Sequence, residues 1–202
     1  MRKMTILCCS LVLLAVSSSL PAQEAAKPDA AKAKAAPPAA AQGMPPMPTA
    51  GPEHAILKKD EGVWDATVEM LGMGPTPMTS KGVETNTLMA NGLWLISDFK
   101  SDIMGQPFHG HGTFGWDPNK KKYVGTWVDS MTAGVSLSEA TWDAGTSTLT
   151  GWMEGPGPTG GVQKTRAVTQ YKSPDSRVFT LSGPGPDGKE APMMRITYTR
   201  RK

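Results

Sequence analysis

His109 and His111 stand two positions apart in the stretch FHGHG. On a β-strand, alternate side chains project from one face, so the two imidazoles would point the same way. That arrangement can ligate zinc or copper. Spacing supplies no third ligand, because His54 lies far away in sequence. The plainer reading, taken here, is a pair of histidines on an exposed strand face, with no metal required.

A second set of chemistry-bearing residues interrupts apolar strand faces. Trp127 alternates with Tyr123 and Asp129; Glu84 with Asn86 and Leu88; Glu139 with Val135 and Leu137; Arg166 with Val162 and Val168. An acid or arginine on a buried apolar face must be paired, hydrated or bound to a ligand. These residues are therefore the candidate ligand-binding set. The alternatives are structural ion pairs, or faces that point outward, since strand register alone decides which face is buried. If at least two of Glu84, Asp98, Asp129 and Glu139 converged in an open cavity, paired-carboxylate hydrolase or isomerase chemistry would follow.

Other catalytic signatures are missing. Ser130, Ser136 and Ser138 lie in no G-x-S-x-G elbow. The glycine-rich Gly155–Gly161 lacks the Lys-Ser/Thr ending of a phosphate-binding loop and reads as a mobile hairpin loop. The sequence has 13 methionines, including Met44, Met47, Met193 and Met194. Thioethers bind Cu(I), but scattered methionines of this kind suit core and pocket lining.

The elements that must position these residues are short strands. After a short helix expected over Pro52–Asp60, with proline in its first turn and Gly62 beyond its end, period-two alternation sets in. About ten runs are read: 63–71, 81–89, 93–103, 108–116, 122–130, 135–142, 148–154, 162–171, 177–182 and 191–200. Turn chemistry separates them, as in Ala90-Asn91-Gly92, Asp117-Pro118-Asn119, Asp143-Ala144-Gly145 and Pro186-Asp187-Gly188. Trp116-Asp117 and Trp142-Asp143 repeat one device, an aromatic followed by a turn-starting aspartate. Lys120, Lys121 and Lys122 then form a solvated hairpin tip. The pattern predicts an all-β, antiparallel up-and-down barrel of about ten strands with a short N-terminal helix.

The ends of the chain bound its setting. Residues 1–23 open on Arg2 and Lys3, run through an apolar stretch from Ile6 to Val16 and leave through small residues, which reads as a secretory signal peptide. That stretch is about 11 residues, too short to span a bilayer, so no transmembrane segment is expected in the mature chain. Cys8 and Cys9 both lie inside it, so the mature protein would hold no disulfide and no thiolate. Residues 24–50 are rich in Ala, Pro and Lys and read as a disordered tether. The folded domain is 51–202. Export to the periplasm or the extracellular space follows from the signal. The net charge of +3 falls to +1 without Arg2 and Lys3, which leaves no broad footprint for nucleic acid.

EHAILKKDEGVWDATVEM, FGWDPNKKKYVGTWVDSMT and the closing ITYTR resemble the bacterial DUF1579 family, whose function is uncharacterised. Trp116 stands where that family commonly has tyrosine, and the family usually lacks histidines at the positions of His109 and His111. Gly62-Val63-Trp64, after a short helix, is also similar to the Gly-x-Trp signature of lipocalin and calycin barrels. The resemblance implies that a basic residue of the last strand, here Arg200, packs across Trp64 at the closed end. Alternation gives independent support: Trp64 shares a face with Ala66, Val68 and Met70, and Arg200 with Met194, Ile196 and Tyr198. Nitrobindin relatives in that superfamily bind haem through one axial histidine; His109 or His111 could serve, but nothing beyond the fold suggests it, and no cofactor is expected.

The reading of function is an exported barrel that binds a small apolar or amphipathic ligand, with Trp127, Tyr123 and methionines in contact and Asp129, Glu84, Glu139 or Arg166 orienting a polar end. The alternatives are the carboxylate enzyme and a structural envelope protein whose barrel is filled by its own side chains.

Overall fold

The computed structural model describes residues 46–202 other than 73, 75, 90, 158, 159 and 186. The expected signal segment and nearly all of the expected tether lie outside the described residues.

Alternation and turn chemistry produce ten strands. They are β1 (Gly62–Met70), β2 (Met78–Leu88), β3 (Trp94–Ile103), β4 (Gln106–Asp117) and β5 (Lys122–Asp129), then β6 (Thr132–Asp143), β7 (Thr148–Pro156), β8 (Val162–Ser173), β9 (Ser176–Pro184) and β10 (Glu190–Arg200). Every strand pairs antiparallel with its sequence neighbours, and β1 pairs with β10 to close the barrel. Closure leaves no sheet edge with unpaired backbone groups. A 3-10 turn (Pro52–His54) runs into one short helix, α1 (Ala55–Asp60), ahead of β1.

The turns use the expected chemistry. Asp117 Oδ1 accepts from the N–H groups of Asn119 and Lys120 at 2.9 and 3.2 Å, and Lys121 takes the left-handed conformation that finishes the turn, with φ 51°. Asp143 repeats the device on Gly145 and Thr146, with Ser147 at φ 52°.

Helix α1 closes one end of the barrel. It buries Ile56 and Leu57 against Leu95, Tyr123 and Leu149, because these residues fall on one side of its short turn. Its last residue, Asp60, is buried as well and gathers polar contacts from the barrel wall. The Asp60 carbonyl accepts from Trp64 Nε1 at 2.9 Å and from Asn86 Nδ2 at 3.0 Å. The Asp60 carboxylate accepts from the Tyr171 hydroxyl at 2.8 Å and faces Arg177 Nε at 3.3 Å. Arg177 also donates to Glu84, which in turn accepts from Asn86 at 2.7 Å. The Arg177 guanidinium lies 4.1 Å from the Tyr198 ring centre and 4.8 Å from that of Trp64. A buried cation therefore has two carboxylates and two aromatic faces around it.

The predicted closure pair is present. Trp64 and Arg200 are register partners, and the Arg200 guanidinium stacks 4.2 Å from the Trp64 ring centre. Such a contact contributes about 0.5–2 kcal/mol. Arg200 also donates to the carbonyls of Lys59 and Glu61, so it clamps the end of α1 as well as the barrel seam.

Arg177→Met would leave Asp60 and Glu84 buried without a counter-charge, and a loss of about 3–5 kcal/mol is expected. Burial already holds the Asp60 carboxyl above the ordinary range, although Arg177 pulls it down. A carboxyl with a raised folded-state value contributes stability that is complete below its unfolded value and lost as pH rises through the folded one. Removing Arg177 raises the folded value further. Urea unfolding of Arg177→Met should therefore show a smaller deficit at pH 5 than at pH 8; an equal deficit at both would count against the ion pairing.

Candidate functional site

The two halves of the barrel interior differ. On the α1 side, the inward residues Trp64, Glu84, Asn86, Leu95, Phe99 and Tyr198 are buried, and Leu88, Phe114, Trp116, Trp142 and Tyr171 around the helix are half-buried. Val68 and Ile196 form the floor above them, also buried. Beyond that floor, the inward residues of the opposite half stay half-buried: Met70, Phe108, Trp127, Met153, Phe179 and Met194. No helix covers this far half, called the cup below: its apolar and aromatic side chains pack on the floor and remain within reach of solvent.

Trp127 is the largest of these side chains. Its indole lies across the inner face of β4, over Gly110 and Gly112. A Cβ on Gly110 would overlap the six-membered ring, and one on Gly112 would sit 3.1 Å from it. Two glycines at alternate positions therefore make a flat seat for the ring. Trp127 Nε1 donates to Asp129 Oδ2 at 3.1 Å, and Asp129 Oδ1 accepts from the Met131 N–H at 2.9 Å. Asp129 thus orients the indole from the rim of the cup. Phe108 and Phe99, 6.0 Å apart and edge-to-face, continue the aromatic wall downward.

The sequence-derived candidates divide sharply. Trp127 and Asp129 belong to the cup. Tyr123 points inward but into the closed half, away from the cup, where its hydroxyl donates to the Glu53 carbonyl at 2.7 Å and supports the turn ahead of the helix. Glu84 points inward and is consumed by Arg177 and Asn86. Glu139 and Arg166 lie on the outer wall, which corrects the expectation of inward faces. Glu139 accepts from Lys120 at 2.6 Å and Lys122 at 2.8 Å, so two of the three hairpin lysines are paired. Arg166 pairs with Glu190 at 3.4 Å. Their apolar face-mates are themselves outside, with Val135 53%, Leu137 60% and Val162 76% exposed. Away from Trp142 and Tyr171 at the α1 end, the inward positions of β6 and β8 are instead small or polar, such as Ser136, Ser138, Ala140, Thr165 and Ala167, opposite the bulky aromatics of β4 and β5.

His109 and His111 also face outward and are exposed, and His111 Nδ1 meets Asp98 Oδ1 at 2.8 Å. Neither histidine enters the barrel interior, so neither is placed for an axial haem bond inside it. Among the described residues, no group of three or more potential metal ligands gathers. The four carboxylates considered for catalysis do not converge: Glu84 lies in the closed half, Asp129 at the cup rim, and Asp98 and Glu139 outside. Arg177, Asp60 and Tyr171 were missed by the sequence reading. The available signal was that Asp60 shares a helix face with Ile56 and Leu57, and Arg177 a strand face with Phe179 and Leu181.

A separate groove of about 490 Å³ runs outside the plugged end, between α1 and Trp116, Tyr123 and Trp142. Lys59 covers one side of it, 5.4 Å from the centre of the Trp142 ring.

The closed ten-strand antiparallel wall, a short helix over one end and a cup at the other define a lipocalin-like barrel. Residues 49–200 match the family model described as a protein of unknown function, DUF1579, and the chain belongs to that family. No curated protein matches the sequence. The crystal structure of Rv2717c from M. tuberculosis is similar in fold, with a TM-score of 0.55 at 9% identity, over 75% of this chain and 99% of that one. The S-type phycobiliprotein lyase CPES from Guillardia theta is similar with a TM-score of 0.50 at 10% identity, over 73% of this chain and 92% of that one. At such identities the likeness is one of fold.

Two outcomes follow from this geometry. Gly110→Ala should push the indole off its seat, cost about 1–3 kcal/mol as an overpacked site, and change the near-ultraviolet circular dichroism of the tryptophans; an unchanged spectrum would mean the ring is not held there. Glu139 should titrate near its depressed value of about 2, because Lys120 and then Lys122 hydrogen-bond its carboxylate. The stability it contributes is present above the ordinary value of 4.5 and is lost as pH falls through about 2. Carbon-13 NMR of the Glu139 carboxyl checks this, and Lys120→Ala should move the midpoint back towards 4.5.

Proposed function

We propose that this protein is an exported binding protein that holds a small apolar or amphipathic ligand in the cup, against Trp127, Phe108 and the methionines. The observation that carries the reading is the contrast in burial. Inward aromatics and methionines of the far half keep contact with solvent at an end that no helix covers, whereas at the other end α1 packs over Leu95, Tyr123 and Leu149 and leaves only the surrounding ring of Leu88, Phe114, Trp116, Trp142 and Tyr171 part-exposed. Apolar side chains left wet inside a concave wall gain free energy when an apolar body displaces the water, about 25 cal/mol for each Å² covered. Small barrels commonly enclose one ligand in this way. Export is supported by the charged start, apolar core and small-residue exit of residues 1–23. The mass of the protein recovered from its own host would test it, since retention of residues 1–23 would refute cleavage.

N-phenyl-1-naphthylamine, a neutral apolar fluorophore, tests the cup. Its emission should rise on titration with the protein purified without its expected leader, and Trp127→Ala should weaken binding about tenfold, the worth of one good aromatic contact. Trp152→Ala, on the exposed outer wall, should leave binding unchanged. If Trp152→Ala abolishes the signal and Trp127→Ala does not, the dye is reading the outer surface. If no emission change occurs at all, the barrel is filled by its own side chains and acts as a structural module.

A further inference from the structure

The charge inventory of the cup points to the class of ligand. We infer that the cup selects a cationic amphiphile, an amine or quaternary ammonium on an apolar body, over an anionic one, with Asp129 as its counter-charge. This inference rests on the ligand-binding reading above.

No described inward residue of the open half is a lysine, arginine or histidine. The cations of the strands there stand outside: Lys81, Lys100, Lys164, Arg166 and Arg195 all occupy exposed positions of the outer wall. The interior cation, Arg177, lies beneath the floor and is committed to Asp60 and Glu84. The connections around the mouth are also poor in charge. Residues 71–77, 104–105, 130–131 and 157–161 include no ionisable side chain. The remaining mouth connection, 185–189, carries Asp187 and Lys189, which cancel in net charge; Asp187 Oδ1 accepts from the Lys189 backbone N–H at 3.1 Å.

Asp129 is the exception inside this neutral wall. It is half-buried at the end of β5, on the same face as Trp127. Both its carboxylate oxygens accept hydrogen bonds, but from neutral donors, Trp127 Nε1 and the Met131 N–H. Among the described residues it takes part in no ion pair, unlike Glu84, Glu139 and Glu190. Its negative charge is therefore held in place and left uncancelled at the edge of an apolar cup.

The consequence for a ligand follows from desolvation. A carboxylate or sulfate head drawn against this wall would lose water, find no cation and meet a like charge. An ammonium head would exchange water for a carboxylate and could lie beside the indole and phenyl faces of Trp127 and Phe108, where cations are attracted to the ring. A neutral head would fall between the two. Lys189 at the mouth does not reverse this order, because Asp187 shares its loop.

Matched twelve-carbon chains isolate the head group: dodecylamine hydrochloride, 1-dodecanol and sodium dodecanoate, titrated at micromolar concentration and low salt, with tryptophan fluorescence as the readout. Dodecylamine should bind at least about tenfold tighter than dodecanoate, the effect of one partly desolvated charge interaction. Asp129→Asn removes the charge and keeps one oxygen acceptor, for the Met131 N–H of the turn, while its amide nitrogen takes the place of the oxygen that faces the indole N–H; the 1-dodecanol control reads the cost of that lost hydrogen bond. The substitution should weaken dodecylamine about tenfold and leave 1-dodecanol within about twofold. An unchanged thermal midpoint would show that the turn survives. If dodecanoate binds as well as dodecylamine, or if Asp129→Asn leaves their ratio unchanged, the charge preference is wrong while the cup remains a ligand site. If none of the three binds, the ligand-binding reading fails and this inference with it.

Discussion

The barrel depends on one buried cation. Arg177 sits beneath the floor of the interior, between the faces of Trp64 and Tyr198, and holds Asp60 of the helix and Glu84 of the wall. A guanidinium suits this place because its planar fork can serve two carboxylates while its faces stack on rings. The six-residue helix is too short to be stable alone. It exists because Ile56 and Leu57 are buried and because Asp60 is claimed by Trp64, Asn86, Tyr171 and Arg177 at once. Take the cation away and the plug, the floor and the seam lose a common anchor.

That anchor divides the interior into two environments. Paired ionised groups are concentrated in the closed half, and the open half is lined by thioethers, aromatics, hydroxyls and glycines, with Asp129 as its one inward carboxylate among the described residues. Glycines contribute by what they omit. Gly110 and Gly112 leave space for an indole, and Gly82 leaves space for Phe99. The apolar residues displaced from the inner positions of β6 and β8 appear on the outside, as Val135, Leu137 and Val162. Towards the open end, this part of the wall has small residues inside and large apolar ones outside, the reverse of the usual pattern of a soluble sheet.

This reversal explains what could be read from sequence and what could not. Strand positions, turns and the Trp64–Arg200 pair follow from local alternation and from the antiparallel closure of an even number of strands, and all three are present. Glu139 and Arg166 lie outside although their strand-face neighbours are apolar, because apolar neighbours mark the inside only where the inside has room for them. On β6 and β8 the inside was already occupied by rings from other strands, a long-range fact that no single strand records. Arg177 is not legible from its own segment, because it stands beside a turn, where an arginine ordinarily means solvent. Trp127 and Asp129 were legible as neighbours on one face, but the seat formed by Gly110 and Gly112 depends on the pairing of β4 with β5.

The order of the strands carries a consequence for how the chain finds its structure. Nine of the ten seams join strands adjacent in sequence, and one, β1 with β10, joins residues at opposite ends of the domain. Hairpins form by short loop closure, whereas the last seam must bring the two ends together and costs more chain entropy. Search and commitment are thus separated: a meander assembles piece by piece, and the ring shuts late, when Arg200 reaches Trp64. The same adjacency of the two ends would let the chain be cut at a distant hairpin and rejoined here, giving a permuted barrel with the same wall and a different final seam.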